Sequence, residues 1–264
     1  MFKKLSALGG MMAVLVVAAT PGNAITFGHL DRNRHPNVGT IGARFEPGVK
    51  DNFCSGTLIS PTVFLTAAHC LLFLPSEGID PDEVFVSFDP SFDQESPVIG
   101  GTYFAHPDYG HDFARLNDIG VVVLDRPVTD IEPARLPTAN LLGRLQARGE
   151  LRDKTFTAVG YGTIRTSKKG GFQGILANND RRYVLQSFNA LNKNWLRLSM
   201  NPATGDGGTC YGDSGGPHFL GGVRSNLVVA ITITGDAPCR ATDVDWRLDT
   251  PSARAFLDDF VTLP

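Results

Sequence analysis

Short apolar segments separated by turn residues make up most of the chain beyond its first 24 positions. Gly, Pro, Asp and Asn interrupt the segments, and β-branched residues are frequent within them, as is typical of strands. The six clearest segments are Thr57–Ile59, Val63–Thr66, Val84–Phe88, Ile119–Leu124, Phe156–Val159 and Leu227–Ile233. Many short strands, with neither a βαβ rhythm nor an internal repeat, predict an all-β antiparallel sandwich or barrel.

The pattern changes to a helical period near the C-terminus. Ser252 follows a proline and is a residue type that caps helices. Apolar residues then recur at i, i+3, i+4, i+7 and i+8, namely Ala253, Phe256, Leu257, Phe260 and Val261. One apolar stripe of this kind predicts a C-terminal helix that packs against the body of the protein.

The first 24 residues have the layout of a signal peptide. Lys3 and Lys4 precede an apolar run over residues 5–19, and Gly22 and Ala24 supply the small residues of a cleavage site. The run is shorter than the ~20 residues that span a bilayer. We therefore expect a secreted protein, extracellular or periplasmic, with no membrane attachment after cleavage.

Composition narrows the function classes. Of the 264 residues, 42% are hydrophobic and 19% are charged, which is typical of a globular chain long enough for one large or two small domains. The net charge of −3 argues against nucleic-acid binding.

The four cysteines predict two disulfides in an exported protein, but their spacing leaves three pairings open. They are Cys54, Cys70, Cys210 and Cys239.

A candidate nucleophile lies in the segment Gly212-Asp213-Ser214-Gly215-Gly216-Pro217. Glycines on both sides of a serine permit a sharp turn and close approach of a substrate. The same spacing fits the nucleophile elbow of α/β-hydrolases, whose histidine follows the serine. Only His218 follows Ser214, and it is too close in sequence to be an independent partner, so the base must come from upstream.

His69 and Asp118 are the best candidates for that base and its orienting acid. His69 ends an apolar run and precedes Cys70, which would hold it firmly. Asp118 leads directly into a buried segment, a position that Asp112 and Asp125 lack. The other upstream histidines lie beside charged or turn-forming residues and are predicted to be on the surface: His29, His35, His106 and His111.

Three segments together resemble the motifs of the trypsin/chymotrypsin-like serine protease family (peptidase S1). They are Thr66-Ala67-Ala68-His69-Cys70, Asn117-Asp118-Ile119 and the segment around Ser214, in the family's His, Asp, Ser order. The resemblance implies two antiparallel six-stranded β-barrels with a C-terminal helix, after a signal peptide at 1–24. The protease domain would span 25–264, with barrels at about 25–135 and about 140–264.

The resemblance also implies roles for individual residues. His69, Asp118 and Ser214 would form the catalytic triad, and the backbone N–H groups of Gly212 and Ser214 the oxyanion hole. The implied disulfides are Cys54–Cys70 and Cys210–Cys239. Ile25 resembles the first residue of active family members, whose ammonium pairs with the acid before the nucleophile, here Asp213. Signal cleavage before Ile25 would then create the activating terminus without a separate zymogen step.

The specificity pocket departs from that of trypsin. Gly208 stands where trypsin has an acid, Thr209 adds a neutral hydroxyl, and Gly235 would leave the entrance open. A neutral pocket favours an apolar side chain before the scissile bond. If Asp243 or Asp245 reaches the base of the pocket, a basic side chain becomes an option again.

The leading interpretation is a secreted serine endopeptidase that acts on proteins or peptides without a cofactor, as a monomer that protein inhibitors could bind. The alternative from another class is a catalytically silent homologue that acts as a binding or regulatory protein. A weaker alternative is a metal site at His106 and His111 with Asp108 or Asp112.

Residues 163–182 are interpreted as a long exposed loop. Their basic residues are Lys168, Lys169, Arg181 and Arg182.

Overall fold

The computed structural model describes residues 25–110, 112, 115–165 and 174–264. The predicted signal peptide, His111 and residues 168–171 lie outside these ranges. The strands in the described part are β1 His29–Leu30, β2 Val38–Ala43, β3 Asp51–Ser60, β4 Val63–Thr66, β5 Val84–Ser87, β6 Ile99–Ala105, β7 Gly120–Leu124, β8 Thr155–Gly160, β9 Ile164–Arg165, β10 Ile175–Leu176, β11 Arg182–Leu191, β12 Trp195–Ser199, β13 Pro217–Leu220, β14 Val228–Gly235 and β15 Thr242–Arg247. The α-helices there are α1 His69–Leu72, α2 Leu141–Ala147 and α3 Pro251–Asp258.

Strands β2 to β7 form the first barrel. They close in the order β2-β3-β4-β7-β6-β5, and every pairing is antiparallel. Strands β2, β4 and β5 are buried along their whole length. Their apolar residues therefore fill the barrel interior on one face and pack against neighbouring segments on the other.

Six strands of the C-terminal half form the second barrel. The order β11-β12-β15-β14-β13-β8 closes through an additional pairing of β8 with β11, and β1 joins the outside of β11. All of these pairings are antiparallel. The expected fold class, two antiparallel six-stranded barrels with a C-terminal helix, is confirmed.

A buried ion pair joins the N-terminal segment to both barrels. Arg181 is fully buried, and its Nε lies 3.1 Å from Asp31 Oδ2. Its Nη1 donates to the carbonyl oxygens of Val38 at 2.9 Å and Phe88 at 3.0 Å. The interpretation of residues 163–182 as an exposed loop is therefore wrong at its end, because Arg181 is buried and the buried Arg182 begins β11.

The C-terminal helix differs in detail from its prediction. It begins at Pro251, its N-cap is Thr250, and the Thr250 side chain accepts the Ala253 N–H. Ser252, expected as the cap, instead donates to Asn117 Oδ1 at 2.7 Å. The helix ends at Asp258, and Ala253, Phe256 and Leu257 are buried along the predicted stripe.

Two histidines predicted on the surface are buried. His35 is 3% exposed and His106 is 8% exposed. The ring of His35 pairs with Asp31 and stacks on Phe219, and the two contacts together outweigh the loss of water around the imidazole.

In the described part of the chain, no helix is long and apolar enough to cross a membrane.

Candidate active site

The register of two strands in the first barrel brings His69 and Asp118 together. Thr66, the last residue of β4, lies opposite Gly120, the first residue of β7. Because the strands are antiparallel, the chain leaving β4 and the chain entering β7 meet at the same end of the barrel. His69 follows the first and Asp118 precedes the second.

Asp118 holds His69 by two hydrogen bonds. Its Oδ2 accepts from the ring Nδ1 at 2.7 Å and its Oδ1 accepts from the His69 backbone N–H at 2.9 Å. An ionised carboxylate only accepts, so Nδ1 carries the ring proton and Nε2 of the neutral ring is left with a lone pair. Asp118 is buried, whereas the His69 side chain is 31% exposed. The arrangement presents a basic nitrogen to the solvent-facing side of the site.

Ser214 lies next to this pair, on the loop before β13. The Sγ atom of Cys70 is 3.7 Å from His69 Nε2 and 3.8 Å from the carbonyl oxygen of Ser214, so one sulfur contacts both residues. In the described structure the Ser214 hydroxyl makes no hydrogen bond, to His69 or to any other group. Such contacts in unliganded sites commonly tighten only when substrate binds.

Two backbone N–H groups beside Ser214 are held in fixed orientations without acceptors. The carbonyl of Tyr211 accepts from Thr163 N–H at 2.7 Å, and the carbonyl of Asp213 accepts from Gly216 N–H at 2.8 Å. In a trans peptide the N–H points opposite to its carbonyl, so the N–H groups of Gly212 and Ser214 are fixed as well. Neither donates to a described residue. The two groups are available to an anion.

Gly212 needs to be a glycine for this backbone path. Its φ is +93°, a region that other residues rarely adopt. A Cβ there would also lie 3.1 Å from the Cα of Gly162. Both observations agree with the role that the resemblance implies for Gly212.

Ser55 connects the two barrels at the site, and no local sequence pattern indicates this role. Its N–H donates to the Ser214 carbonyl at 2.9 Å. Its hydroxyl donates to the Gly212 carbonyl at 2.9 Å and accepts from Tyr161 N–H at 2.9 Å. A single buried serine of β3 thus positions the backbone on both sides of Asp213.

Two disulfides flank the site, and they are the pairs that the resemblance implies. Cys54 in β3 is bonded to Cys70 in α1, and Cys210 is bonded to Cys239. The first braces the helix that carries His69. The second closes a wall of the neighbouring pocket, which both of its cysteines line.

A pocket of about 350 Å³ opens beside Ser214. Its lining comes from the second barrel and includes Thr209 and Gly235. Gly208 lies behind the lining, where it forms a bridge with Thr26. A Cβ on Gly208 would lie 2.0 Å from the Sδ of Met200, so Met200 fills the space that a side chain would occupy.

Asp243 adjoins this pocket through Thr209. Its Oδ1 accepts from the Thr209 hydroxyl at 2.7 Å and its Oδ2 from Gln186 Nε2 at 2.8 Å, and it is fully buried. Asp245 instead faces His218, whose Nε2 is 2.8 Å from Asp245 Oδ1 and 3.8 Å from Asp243 Oδ2. Neither carboxyl lines the pocket itself, but Asp243 contacts the lining residue Thr209, whereas Asp245 contacts His218.

Burial and mutual repulsion shift the pKa values of this cluster. Burial, followed by the charge of Asp243, raises the pKa of Asp245 to about 8. Burial opposes charge on His218, but the neighbouring carboxylates, Asp245 first, raise its pKa above the ordinary value. The cluster behind the pocket thus consists of two carboxyl groups, Asp243 and Asp245, and one imidazole, that of His218.

Asp213 and Ile25 are both fully buried. The Asp213 carboxyl accepts from the N–H groups of Gly162 and Cys210, each at 2.8 Å, and burial raises its pKa to about 7. Ile25 packs with Ala158 and Val184. Within the described ranges Asp213 has no ion-pair partner.

The ring of His106, a member of the weaker metal hypothesis, is engaged by the protein. Its Nδ1 accepts from Asp108 N–H at 3.1 Å, and its Nε2 is 3.1 Å from the Ser252 hydroxyl. Both ring nitrogens are used, so His106 has a structural role that joins β6 to α3. His111 lies outside the described residues.

Comparison with known proteins gives a family match and several similar proteins. A family model described as Trypsin matches residues 33–252. The chain is 28% identical to kallikrein 1-related peptidase b27 of Mus musculus over 70% of this chain and 71% of that protein. It is 28% identical to a chymotrypsin of Phaedon cochleariae, over 72% and 65%, and to a trypsin of Saccharopolyspora erythraea, over 71% and 78%.

Proposed function

Because the chain belongs to the trypsin family, we propose that it is a secreted serine endopeptidase with His69, Asp118 and Ser214 as its catalytic triad. The observation that carries the proposal is the paired hydrogen bonding of Asp118 to His69 next to Ser214. It gives the imidazole one orientation and one tautomer, which is what a general base needs.

The reaction would proceed through an acyl-enzyme. Ser214 Oγ attacks the carbonyl carbon of the scissile bond while His69 Nε2 takes its proton. The N–H groups of Gly212 and Ser214 bind the oxyanion, and one such donor is worth about 3–4 kcal/mol in the transition state. His69 then gives the proton to the leaving amine, and a water molecule activated in the same way releases the acid. The triad supplies nucleophile, base and charge stabilisation, so the reaction needs no organic cofactor.

The pocket beside Ser214 would hold the side chain before the scissile bond, and Asp243 makes it suitable for a cation. The donors to Asp243, Thr209 and Gln186, are neutral, and the nearby His218 is closer to Asp245. A buried carboxylate without a cation of its own attracts a positive charge in a low-dielectric site. The apolar preference expected from Gly208 is therefore replaced by a preference for Lys or Arg.

Digestion of an unfolded protein such as casein tests function and preference together. We expect new termini by mass spectrometry, with Lys or Arg before most cuts. Asp243→Asn should lower the ratio of kcat/KM for lysyl over leucyl substrates by ~10-fold or more, since it removes the buried charge that contacts the pocket through Thr209. Cuts mainly after apolar residues would refute the role of Asp243. No cuts at all would favour the silent binding protein.

The N-terminus would activate the protein directly. Thr26 bridges to Gly208, with Gly208 N–H donating to the Thr26 carbonyl at 3.0 Å, so residue 25 is held inside the second barrel. Cleavage before Ile25 would free an ammonium that we propose pairs with Asp213, which is buried and has no ion-pair partner among the described residues. The proposed pair would hold the backbone from 210 to 214, which carries both oxyanion donors.

Two purified forms, one starting at Ile25 and one retaining Ala24, test this proposal. We expect kcat/KM at pH 8 to be about 10²-fold higher for the first, because a broken buried pair costs ~3–5 kcal/mol. In the longer form burial raises the pKa of Asp213 from its ordinary value of 3.8 to about 7, so the carboxyl group keeps its proton up to about pH 7. Its folded state then binds a proton that the unfolded state lacks, so its free energy of unfolding should fall as pH rises across that window.

Asp213→Asn is the control for this pair of forms. It should lower the activity of the form starting at Ile25 and remove the pH dependence of stability from the longer form. Equal activity of the two forms, or a secreted protein that starts upstream of Ile25, would contradict direct activation.

A further inference from the structure

A buried cluster of three titratable side chains adjoins the pocket beside Ser214, and the proposed reaction leaves two of them without a role. Asp243 and Asp245 belong to β15 and His218 belongs to β13, and all three are fully buried. One carboxylate oxygen of each aspartate and one ring nitrogen of His218 lie within 4.8 Å of one another. The charges of groups so close together at full burial depend on one another.

Two threonine hydroxyls connect this cluster to the pocket. Thr209 and Thr232 both line the pocket. The Thr209 hydroxyl donates to Asp243 Oδ1 at 2.7 Å, and the Thr232 hydroxyl lies 2.9 Å from His218 Nε2. The charge of the cluster therefore acts on the pocket at two points, each time across a single hydroxyl.

The two carboxyl groups have unequal support for a negative charge. Asp243 accepts from the Thr209 hydroxyl and, at 2.8 Å, from Gln186 Nε2. Asp245 Oδ1 is 2.8 Å from His218 Nε2, and no other donor among the described residues reaches the Asp245 oxygens. Hydrogen bonds to a carboxylate favour its ionised form, and burial without them favours the protonated form. A proton taken up by the cluster is therefore held by Asp245 and His218, and Asp243 keeps its charge.

The strands packed against Asp245 and His218 supply no positive charge. Their register partners have neutral side chains, namely Leu196, Thr232, Ala230 and Ala158. Besides the two carboxylates of β15, the titratable group that acts on His218 is Asp213 of the loop before β13, which is also acidic. In the described ranges no lysine or arginine forms an ion pair with these carboxylates. Loss of the proton would leave two adjacent buried negative charges.

We propose that Asp245 and His218 determine specificity together with Asp243, by holding one proton that an arginyl or lysyl side chain in the pocket displaces. This inference rests on the proposed peptidase function and deepens it. While the proton is held, the cluster carries one negative charge. After the proton has left to solvent by way of the Thr232 hydroxyl, the cluster carries two. A cation in the pocket stabilises the second state and an apolar side chain does not, so selection for a basic side chain strengthens as the pH rises.

The pH dependence of selectivity measures this coupling. Arginyl and leucyl p-nitroanilides with the same preceding residues are compared from about pH 6.5 to about pH 9.5, where the guanidinium keeps its charge. The ratio of their kcat/KM values cancels groups that act on both substrates alike, among them His69 and Asp213. Burial raises the pKa of Asp245 to about 8, so the second charge develops within this window. We expect the ratio to rise by about tenfold.

Asp245→Asn should abolish that rise, because it removes the carboxyl group that holds the proton. Asp236→Asn is the matched control. Asp236 also lines the pocket, but its oxygens accept the N–H groups of residues 240–242 and it is not part of the cluster. This variant should keep the rise. The leucyl anilide shows in each protein whether fold and catalysis are preserved.

Binding of benzamidine, an amidinium cation, tests the same proton in the wild-type protein. Calorimetry in buffers of different ionisation enthalpy counts the protons released on binding. We expect about half a proton per chain at pH 8, where Asp245 is half protonated before the cation enters. Binding without proton release, or no binding, would overturn the inference.

The kinetic outcomes separate the inference from the function on which it rests. A flat ratio in the wild type would overturn the inference and leave the peptidase function standing, as would an unchanged rise in a folded Asp245→Asn variant. Hydrolysis of neither anilide would overturn the peptidase function. Proton release on benzamidine binding would then still decide whether Asp245 and His218 hold a displaceable proton.

Discussion

Replacement of Ser214 by alanine is expected to lower kcat for peptide hydrolysis by about 10⁶-fold. The variant removes only the hydroxyl. The backbone carbonyl of Ser214 keeps its hydrogen bond from Ser55 N–H, and the N–H groups of residues 212 and 214 stay available to an oxyanion. Binding and oxyanion stabilisation alone leave a residual rate of about 10³-fold over water. Steady-state kinetics with a peptide anilide measure the loss.

The controls for Ser214→Ala separate chemistry from folding. Ser225 lies between β13 and β14 and bonds to the Leu220 carbonyl at 2.7 Å, so Ser225→Ala removes a serine hydroxyl away from the site. We expect it to retain kcat within about twofold. Near-UV circular dichroism should be the same for both variants. Substantial hydrolysis by a folded Ser214→Ala variant would place the nucleophile elsewhere.

Asp118→Asn is expected to lower kcat by about 10⁴-fold with little change of fold. Asp118 uses one oxygen for the His69 backbone N–H and the other for Nδ1–H. Asparagine has a single carbonyl oxygen. If that oxygen keeps the backbone bond, the amide nitrogen faces Nδ1 and donates to it. The ring proton then moves to Nε2, which can no longer accept the proton of Ser214.

Asp125→Asn provides the matched control. Asp125 was a rival candidate for the orienting acid, and it follows strand β7, which Asp118 precedes. We expect its kcat to remain within about twofold of wild type. The ring tautomer of His69 in each protein can be read from ¹⁵N chemical shifts of the imidazole. A wild-type tautomer in Asp118→Asn together with a full loss of activity would contradict the explanation given for that loss.

The sequence was informative where local chemistry is distinctive. A serine among glycines, a histidine that ends an apolar run and an aspartate that starts one are unusual neighbours, and their order along the chain excluded the competing hydrolase arrangement. The barrels were recognisable from strand patterns only in part. Strand β15 alternates charged residues with apolar ones from Asp243 onward, and nothing local shows that Asp243 and Asp245 are buried together with the apolar residues between them.

What the sequence did not reveal depends on partners far along the chain. Ser55 acts on residues 161, 212 and 214, and a serine inside a strand carries no local sign of that role. Arg181 is buried because Asp31, 150 residues earlier, compensates its charge. The cap of α3 was a different kind of error. Proline is favoured at the first helical position, so Pro251 should have placed the cap at Thr250 rather than at Ser252.

The central claim is that His69, held by Asp118, activates Ser214, and labelling by a fluorophosphonate tests it most directly. The secreted protein, with its first residue determined, is treated with the reagent and digested, and the adduct is located by mass spectrometry. The account predicts one adduct per chain, on Ser214, formed at least about 10³-fold more slowly in Asp118→Asn because the base is lost. A protein that starts at Ile25 and takes up no label, or takes it up on another residue, would contradict the account.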